Sequence, residues 1–228
     1  MLRESKMSSD DKLNFFYLWG MPILIAKLDP KKYDKEQILE DITENYNKDP
    51  NREVWSQSSM GTNIHHSLAD VSKNFKVPDY TKLNLAYKKP TEYFIQQLNF
   101  KNPVKIEQYF ANYTASKHEA FLEPHHHTGC QFSMVHYLKF NPNQNKSTVF
   151  INPYVHQEWW DDRKMLSAFA GDIKNTRFAW TEDEWAFDVE EDDLIIFPAP
   201  LKHYVKTYAS EDMRVTISMN IKLIDIGI

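Results

Sequence analysis

The second half of the chain alternates apolar and polar positions in short runs, the pattern of β-strands that are buried on one face. These runs are VKIEQYFANYT from Val104, FSMVHYL at 132–138, STVFINP at 147–153, DLIIF from Asp193 and RVTISMNI from Arg214. The polar stretch NPNQNK at 141–146 separates two of them as a turn. The pattern predicts a mainly β domain.

The first hundred residues predict an early strand and two helices on the outside of the sheet. Aromatic and β-branched residues over Phe15–Leu28 favour one strand, bent at Gly20 and Pro22. Asp34, with Gln37 three residues later, predicts a helix N-cap. The apolar stripe that follows consists of Ile38, Leu39, Ile42 and Tyr46.

Pro90 predicts the start of a second helix over residues 91–98, because proline is favoured in the first helical turn. Its expected buried side consists of Tyr93, Phe94 and Leu98. Upstream, Leu83, Leu85 and Ala86 indicate another helical turn or two.

Composition narrows the class of protein. A length of 228 residues with 42% hydrophobic residues suits one domain with a sizeable core. The net charge of −5 argues against a nucleic-acid partner, since no strongly basic patch is present. Cys130 is the only cysteine, so an intrachain disulfide is excluded and a reducing cytosol fits. Gly-rich phosphate loops, serine elbows, paired CxxC motifs and HExxH are absent.

Three consecutive histidines precede the FSMVHYL run and are the first candidate for chemistry. Residues one apart on an extended chain point the same way, so His125 and His127 can share a metal ion while His126 faces away. A solvated turn before a strand is the plainer alternative. His203 follows a second strand, and the pair His65-His66 is expected to be incidental.

The last strand supplies a candidate anion seat. Arg214, Thr216, Ser218 and Asn220 fall on one face, opposite Val215, Ile217, Met219 and Ile221. An arginine among hydroxyl groups suits a carboxylate ligand, because the guanidinium fork matches two carboxylate oxygens. The alternative is an ordinary strand with a wet outer face.

Together, His125-x-His127, His203 and Arg214-x-Thr216 resemble the 2-oxoglutarate and iron(II)-dependent dioxygenases. That family holds iron with a His-x-acid pair and a distal histidine, and binds 2-oxoglutarate with an arginine followed two residues later by serine or threonine. The chain is most similar to a branch common in phages and bacteria, which shows His-x-His before an LSGVYYL-like strand and ends on an RISISFNI-like strand. The similarity covers about the last 120 residues.

The resemblance implies a double-stranded β-helix, the jelly-roll or cupin-like architecture, with iron(II), 2-oxoglutarate and O₂ as cofactor and cosubstrates. His125, His127 and His203 are then the expected iron ligands. The expected cosubstrate contacts are Arg214, Thr216, Tyr137, Ser218 and Asn112. The implied reaction is hydroxylation of an unidentified substrate, with release of succinate and CO₂.

Two positions depart from the family pattern. His127 stands where the wider family has aspartate or glutamate, and Asp192 or Asp193 stands where a glycine usually precedes the strand leading to the distal histidine. Three outcomes are open for the third ligand: a three-histidine site, a carboxylate from elsewhere such as Glu123, or a site that lost catalysis. The three-histidine site is the one we expect.

We expect a single domain over residues 1–228, with a strand and supporting helices at 13–100 and the β-helix core at 104–224. An insertion at about 152–192 carries four of the six tryptophans and a strongly acidic run. Residues 159–162 are its candidate lid, and a partner surface is the alternative. The basic residues of the insertion best placed to bind an acidic substrate are Arg163, Lys164 and Arg177.

Two other function classes stay open from the sequence. One is a non-catalytic cupin-like metal or small-ligand binding or accessory protein, for which Arg214 would not be needed. The other is a three-histidine dioxygenase that works without 2-oxoglutarate. The substrate can be a small molecule or a peptidyl residue, and a homodimer is the commonest form for a small soluble oligomer. No apolar run reaches the ~18 to 20 residues of a membrane span, so we expect a cytoplasmic protein, in the host cytoplasm if a phage encodes it.

Overall fold

The computed structural model describes residues 12–50, 61–66, 75–153 and 183–227, with the backbone alone for 61–66 and 109–111. In these residues the α-helices are α1 (Lys35–Lys48) and α2 (Thr81–Leu98). The strands in this part of the chain are β1 (Leu13–Leu18), β2 (Met21–Lys27), β3 (Gly61–His66), β4 (Val104–His125), β5 (Phe132–Lys139), β6 (Thr148–Ile151), β7 (Glu184–Ala186), β8 (Asp193–Pro198), β9 (His203–Val205) and β10 (Arg214–Asp225). The predicted mainly β fold with flanking helices is confirmed.

The strands form one curled antiparallel sheet in the order β1-β2-β8-β5-β10-β4-β9-β6-β7, with β3 on β4. The long strand β4 belongs to both layers of this curled sheet. Its first part, up to Ser116, pairs with β10, and its last part pairs with β9 at Leu122 and His125. Between them Glu119 adopts a positive φ of 58°, a conformation that non-glycine residues rarely take. The chain therefore turns from one sheet layer into the other within β4.

The N-terminal segment corrects the prediction of one bent strand, because β1 and β2 form a hairpin. Leu18 pairs with Met21 across a two-residue loop in which Trp19 and Gly20 have φ values of 52° and 75°. Two successive positive φ angles define the type I′ turn, which matches the twist of paired strands. β2 then pairs with β8 and extends the sheet.

Helix α1 begins where predicted, but Asp34 makes no side-chain capping bond. The Asp34 carboxylate instead accepts a hydrogen bond from the Lys82 ammonium at 2.8 Å. Ile38 and Ile42 are fully buried against the sheet, as the apolar stripe predicted.

Helix α2 corrects the second helix prediction, since it begins at Thr81 and contains Pro90 in its interior. Thr91 Oγ1 donates to the Tyr87 carbonyl at 2.8 Å, within the turn that the proline interrupts. Tyr87 and Leu83 are fully buried and hold the segment before the proline against the sheet, whereas Leu85 is 68% exposed. Tertiary packing thus outweighs the local cost of the proline.

The core has two layers, one on each side of the sheet. The layer under the helices includes Val215, Ile217, Met219 and Ile221 of β10, as their alternation predicted. The second layer fills the interior of the curled sheet with residues such as Tyr137, Phe150 and Phe197. The polar face of β10 therefore points into the interior, beside this second layer.

Several predicted features lie outside the described residues. They are the lid candidate at 159–162 with Arg163, Lys164 and Arg177, and most of the insertion at about 152–192. Residues His65 and His66 are placed in β3 by their backbone alone. No helix in the described part of the chain is long and apolar enough to cross a membrane.

Candidate metal centre

The structure brings His125, His127 and His203 together at one end of the sheet interior. His125, the last residue of β4, is the direct ladder partner of His203, the first residue of β9. His127 follows β4, and its backbone N–H donates to the Ala199 carbonyl at 2.9 Å, which ties it to the turn before β9. One ligand atom from each ring lies within 4.8 Å of the other two.

Backbone carbonyls orient two of the three rings. The Glu123 carbonyl lies 2.7 Å from His125 Nδ1, and the Leu201 carbonyl lies 2.9 Å from His203 Nδ1. Each Nδ1–H is therefore the donor, and each Nε2 keeps its lone pair. His127 Nε2 lies 3.3 Å from His203 Nε2, close to the ~3 Å between two nitrogens that share an ion at about 2.1 Å. The donor set therefore fits a divalent metal.

Burial keeps these imidazoles uncharged. Desolvation, with a smaller contribution from the neighbouring histidines, lowers the pKa of His127 to about 4 and that of His203 to about 3. Desolvation also lowers the pKa of His125. Neutral imidazole is the form that binds a metal, so the rings need lose no proton at neutral pH.

The residues around the three histidines indicate whether a carboxylate such as Glu123 could be a ligand in place of a third histidine. In the described part of the chain, the group that can hold a metal contains these three histidines and not Glu123, whose backbone carbonyl orients His125. His126 was predicted to face away, but it lines the mouth of the same cavity. The chain leaves the regular strand at His125, so strict alternation no longer applies at His126. The ligand roles themselves stay predictions.

Arg214 is 3% exposed and lies in the same cavity. Its Nε donates to the Lys146 carbonyl at 3.1 Å, and Nη1 donates to Thr216 Oγ1 at 3.4 Å. Burial lowers the pKa of Arg214, yet a guanidinium remains charged in proteins. Among the described residues no carboxylate pairs with it, which leaves a buried cation without an acidic partner.

Tyr137 supports the arginine from behind instead of lining the cavity. Its ring lies 5.6 Å from the Arg214 guanidinium carbon, and its hydroxyl accepts a hydrogen bond from the Thr148 N–H at 2.9 Å. The side chain is fully buried, and burial raises the pKa of its phenol. The structure therefore places Tyr137 next to the seat predicted for 2-oxoglutarate, one layer deeper.

The cavity has a volume of about 290 Å³ and holds every predicted site residue except Tyr137. Thr216 and Ser218 of β10 face Thr114 and Asn112 of β4 as ladder partners. Tyr113, the neighbour of Asn112, lies on the opposite face of β4, and its hydroxyl accepts a hydrogen bond from Asn45 of α1. Adjacent strand residues point in opposite directions, so only one of the pair reaches the cavity.

Sequence reasoning missed several cavity residues: Thr114, Ser116, Thr148, Phe197, Val205 and Tyr208. The signal for Thr114 and Ser116 was available, because they continue the alternation from Asn112 along β4. Tyr208 had no such signal, since it follows β9 outside any strand, and its hydroxyl lies 3.0 Å from Ser116 Oγ.

Asp192 is one of the two residues that the sequence analysis places where the family usually has glycine. Its φ of 67° lies in the left-handed region, which favours glycine. Its carboxylate accepts two hydrogen bonds from the Lys35 ammonium, both at 2.7 Å, and one from the Tyr33 hydroxyl. Its N–H donates to the Tyr137 carbonyl at 2.7 Å. A buried polar network thus stabilises the strained position beside β5.

An antiparallel sheet curled into two layers defines a double-stranded β-helix, and the three histidines in its interior cavity, beside a buried arginine, can hold a metal ion. The family model described as "Putative 2OG-Fe(II) oxygenase" matches residues 112–220, slightly less than half of the chain. This match confirms the resemblance predicted from the sequence. The family's cofactor and cosubstrates are iron(II), 2-oxoglutarate and O₂, as expected.

Similarity to one solved structure supports the fold, and two further structures are similar at lower scores. A prolyl hydroxylase from Trichoplax adhaerens, in complex with a hypoxia inducible factor peptide fragment, superposes with a TM-score of 0.50 at 11% identity, covering 88% of this chain and 83% of the other. A Pseudomonas putida prolyl-4-hydroxylase gives 0.49 at 11% identity, covering 88% and 91%. HygX from Streptomyces hygroscopicus, with nickel and 2-oxoglutarate bound, gives 0.45 at 11% identity, covering 88% and 82%. No curated protein sequence matches the chain.

Proposed function

We propose that the protein binds iron(II) through His125, His127 and His203 and hydroxylates a substrate with conversion of 2-oxoglutarate to succinate and CO₂. The observation that carries this proposal is the buried Arg214 in the cavity of the three histidines, without an acidic partner among the described residues. A buried cation is costly unless an anion compensates it, and a dicarboxylate that also reaches a metal supplies that anion.

Different residues of the cavity would bind different parts of 2-oxoglutarate. Arg214 would pair with the distal carboxylate of 2-oxoglutarate, with Thr216 donating a hydrogen bond beside it. The Lys146 carbonyl and the Tyr137 ring hold the guanidinium in place, at 3.1 Å and 5.6 Å. Ser218 and Asn112 lie next along the wall toward the opening, where the predicted cosubstrate contacts would end.

The metal site contributes the redox chemistry. His125, His127 and His203 would hold iron(II) and leave room for 2-oxoglutarate and O₂. The bound ion would activate O₂, the oxidant, for attack on a C–H bond. The three neutral imidazoles give the site one negative charge fewer than two histidines and a carboxylate would. The apolar cavity walls, with Phe197, Leu122 and Val205, exclude water from the reacting groups.

Calorimetric titration of 2-oxoglutarate into zinc-loaded protein tests the binding step without turnover. We expect one binding site per chain, lost in Arg214→Leu and kept in Lys222→Leu, a cation on the same strand beyond the cavity. Addition of O₂ to the iron(II) protein should then yield succinate and CO₂ in equal amounts. Iron binding without binding of 2-oxoglutarate would favour the three-histidine dioxygenase that needs no cosubstrate.

A further inference from the structure

The polar wall of the cavity runs from its closed end to its open end along β10. Arg214 and Thr216 are buried, whereas Ser218 and Asn220 are half-buried. At about 3.3 Å per strand residue, Asn220 lies roughly 20 Å along the strand from Arg214. Asn220 is therefore too far along the wall to share the carboxylate seat, and it lies where a second molecule would enter.

A buried serine fixes the orientation of the Asn220 side chain. Ser133 is the ladder partner of Asn220 on β5 and is 2% exposed. Its hydroxyl donates to Asn220 Oδ1 at 2.9 Å, which leaves Nδ2 as the free donor group of the amide. No described residue accepts a hydrogen bond from Nδ2. An amide donor oriented in advance in this way is suited to a carbonyl oxygen.

The charges in the cavity restrict what can bind there. Of the described residues that line it, Arg214 alone carries a permanent charge, and the proposed function assigns that charge to 2-oxoglutarate. The facing wall is apolar, with Phe121, Leu122 and Phe197. A charged substrate group would lose its water without gaining a counter-charge from these residues, whereas a neutral amide needs only hydrogen bonds.

We propose that Asn220 is a substrate-binding residue that donates from Nδ2 to a carbonyl oxygen of an uncharged, amide-bearing substrate, with Ser133 as its positioning residue. The inference rests on the proposed function, because it takes the substrate to bind next to the 2-oxoglutarate seat. It adds a substrate class and a residue that determines specificity.

The test uses three pools of tripeptides that are acetylated at the N-terminus and amidated at the C-terminus. The central residue is neutral in one pool, acidic in the second and basic in the third. Each pool is added to the full chain with iron(II), 2-oxoglutarate and O₂, and succinate is measured above the rate without peptide. We expect stimulation by the neutral pool.

Asn220→Asp keeps the shape of the side chain and removes the donor. We expect it to lower the stimulation at least about tenfold, since a site built around a hydrogen bond discriminates strongly when that bond is lost. Ser133→Ala should lower it by a smaller factor, because the amide is then free to rotate. Asn143→Asp, the same change on an exposed turn, should behave as the wild type. Binding of 2-oxoglutarate should stay unchanged in all three variants.

Four results would overturn the inference: stronger stimulation by a charged pool, no stimulation by any pool, full stimulation of Asn220→Asp, or an equal loss of 2-oxoglutarate binding in that variant. The last result would assign Asn220 to the cosubstrate seat. Failure of the proposed function is distinguishable, because the wild type itself would then not bind 2-oxoglutarate.

Discussion

The carboxylate of Asp192 contacts three other parts of the fold, so its removal should weaken the whole domain. It binds Lys35 at the start of α1 and the Tyr33 hydroxyl before that helix, and it lies 3.8 Å from His136 of β5. Asp192→Asn keeps the shape and the tolerance of a positive φ, and removes the charge. The variant therefore separates the electrostatic contribution from backbone strain.

The expected magnitude follows from the pKa of Asp192. Burial would raise that pKa, but interactions with His136, Lys35 and Tyr33 together outweigh burial and lower it from 3.8 to about 2. This lowering corresponds to roughly 2 kcal/mol of stability. Lys35 keeps one partner in the variant, the Glu191 carboxylate at 2.7 Å. We therefore expect Asp192→Asn to lose about 2 to 3 kcal/mol at neutral pH, below the cost of a fully orphaned buried charge.

The pH dependence has a definite sign. A carboxylate with a lowered folded-state pKa stabilises the fold above its unfolded pKa, and this stabilisation disappears as the pH falls from about 4 to about 2. The free energy of unfolding, measured by urea titration at several pH values, should therefore differ most between wild type and Asp192→Asn at neutral pH. The exposed Asp188→Asn is the matched control. A difference below about 0.5 kcal/mol at neutral pH, or one that stays constant down to pH 2, would refute the reasoning.

Three further predictions concern the site and the turn. Arg214→Leu should weaken 2-oxoglutarate binding at least about 30-fold, because truncating one partner of a buried charge pair costs ~2 to 5 kcal/mol; an unchanged Kd by calorimetry would contradict the carboxylate seat. His127→Ala should abolish iron binding while His126→Ala keeps it, and equal iron content in both variants by elemental analysis would exclude His127 as a ligand. Gly20→Ala should cost about 1 kcal/mol in thermal unfolding, since Gly20 has a φ of 75°, and an unchanged Tm would contradict the type I′ turn.

A fifth prediction concerns the pH dependence of metal binding. Burial lowers the pKa of His127 to about 4 and that of His203 to about 3, so protons compete with the metal only at acid pH. Zinc binding measured by equilibrium dialysis should persist as the pH falls through the ordinary histidine range near 6.5 and weaken below about pH 5. Half-loss of binding above pH 6 would contradict the burial of these rings.

The site was more predictable from the sequence than the N-terminal elements. The alternation along β10 needed only the period of an extended strand, and the placement of Arg214 and Thr216 in the interior follows from it. His125 and His127 were brought together by the same rule. The same alternation wrongly predicted that His126 faces away, because the regular strand ends at His125.

The features that the sequence did not predict depend mainly on tertiary contacts. The start of α2 depends on the burial of Tyr87 and Leu83 against the sheet, and Pro90 alone points to a later start. The network around Asp192 joins residues about 160 positions apart in the chain. Only the hairpin turn had a local signal, in Gly20, but the aromatic residues before it and the aliphatic residues after it favoured a continuous strand.

The most direct test of the central claim is the visible charge-transfer band that chelation of a 2-oxo acid to iron(II) gives in this family. Anaerobic protein with iron(II) should develop the band when 2-oxoglutarate is added, and Arg214→Leu should bind iron without it. A wild-type protein that binds iron and shows no band at saturating 2-oxoglutarate would contradict the account.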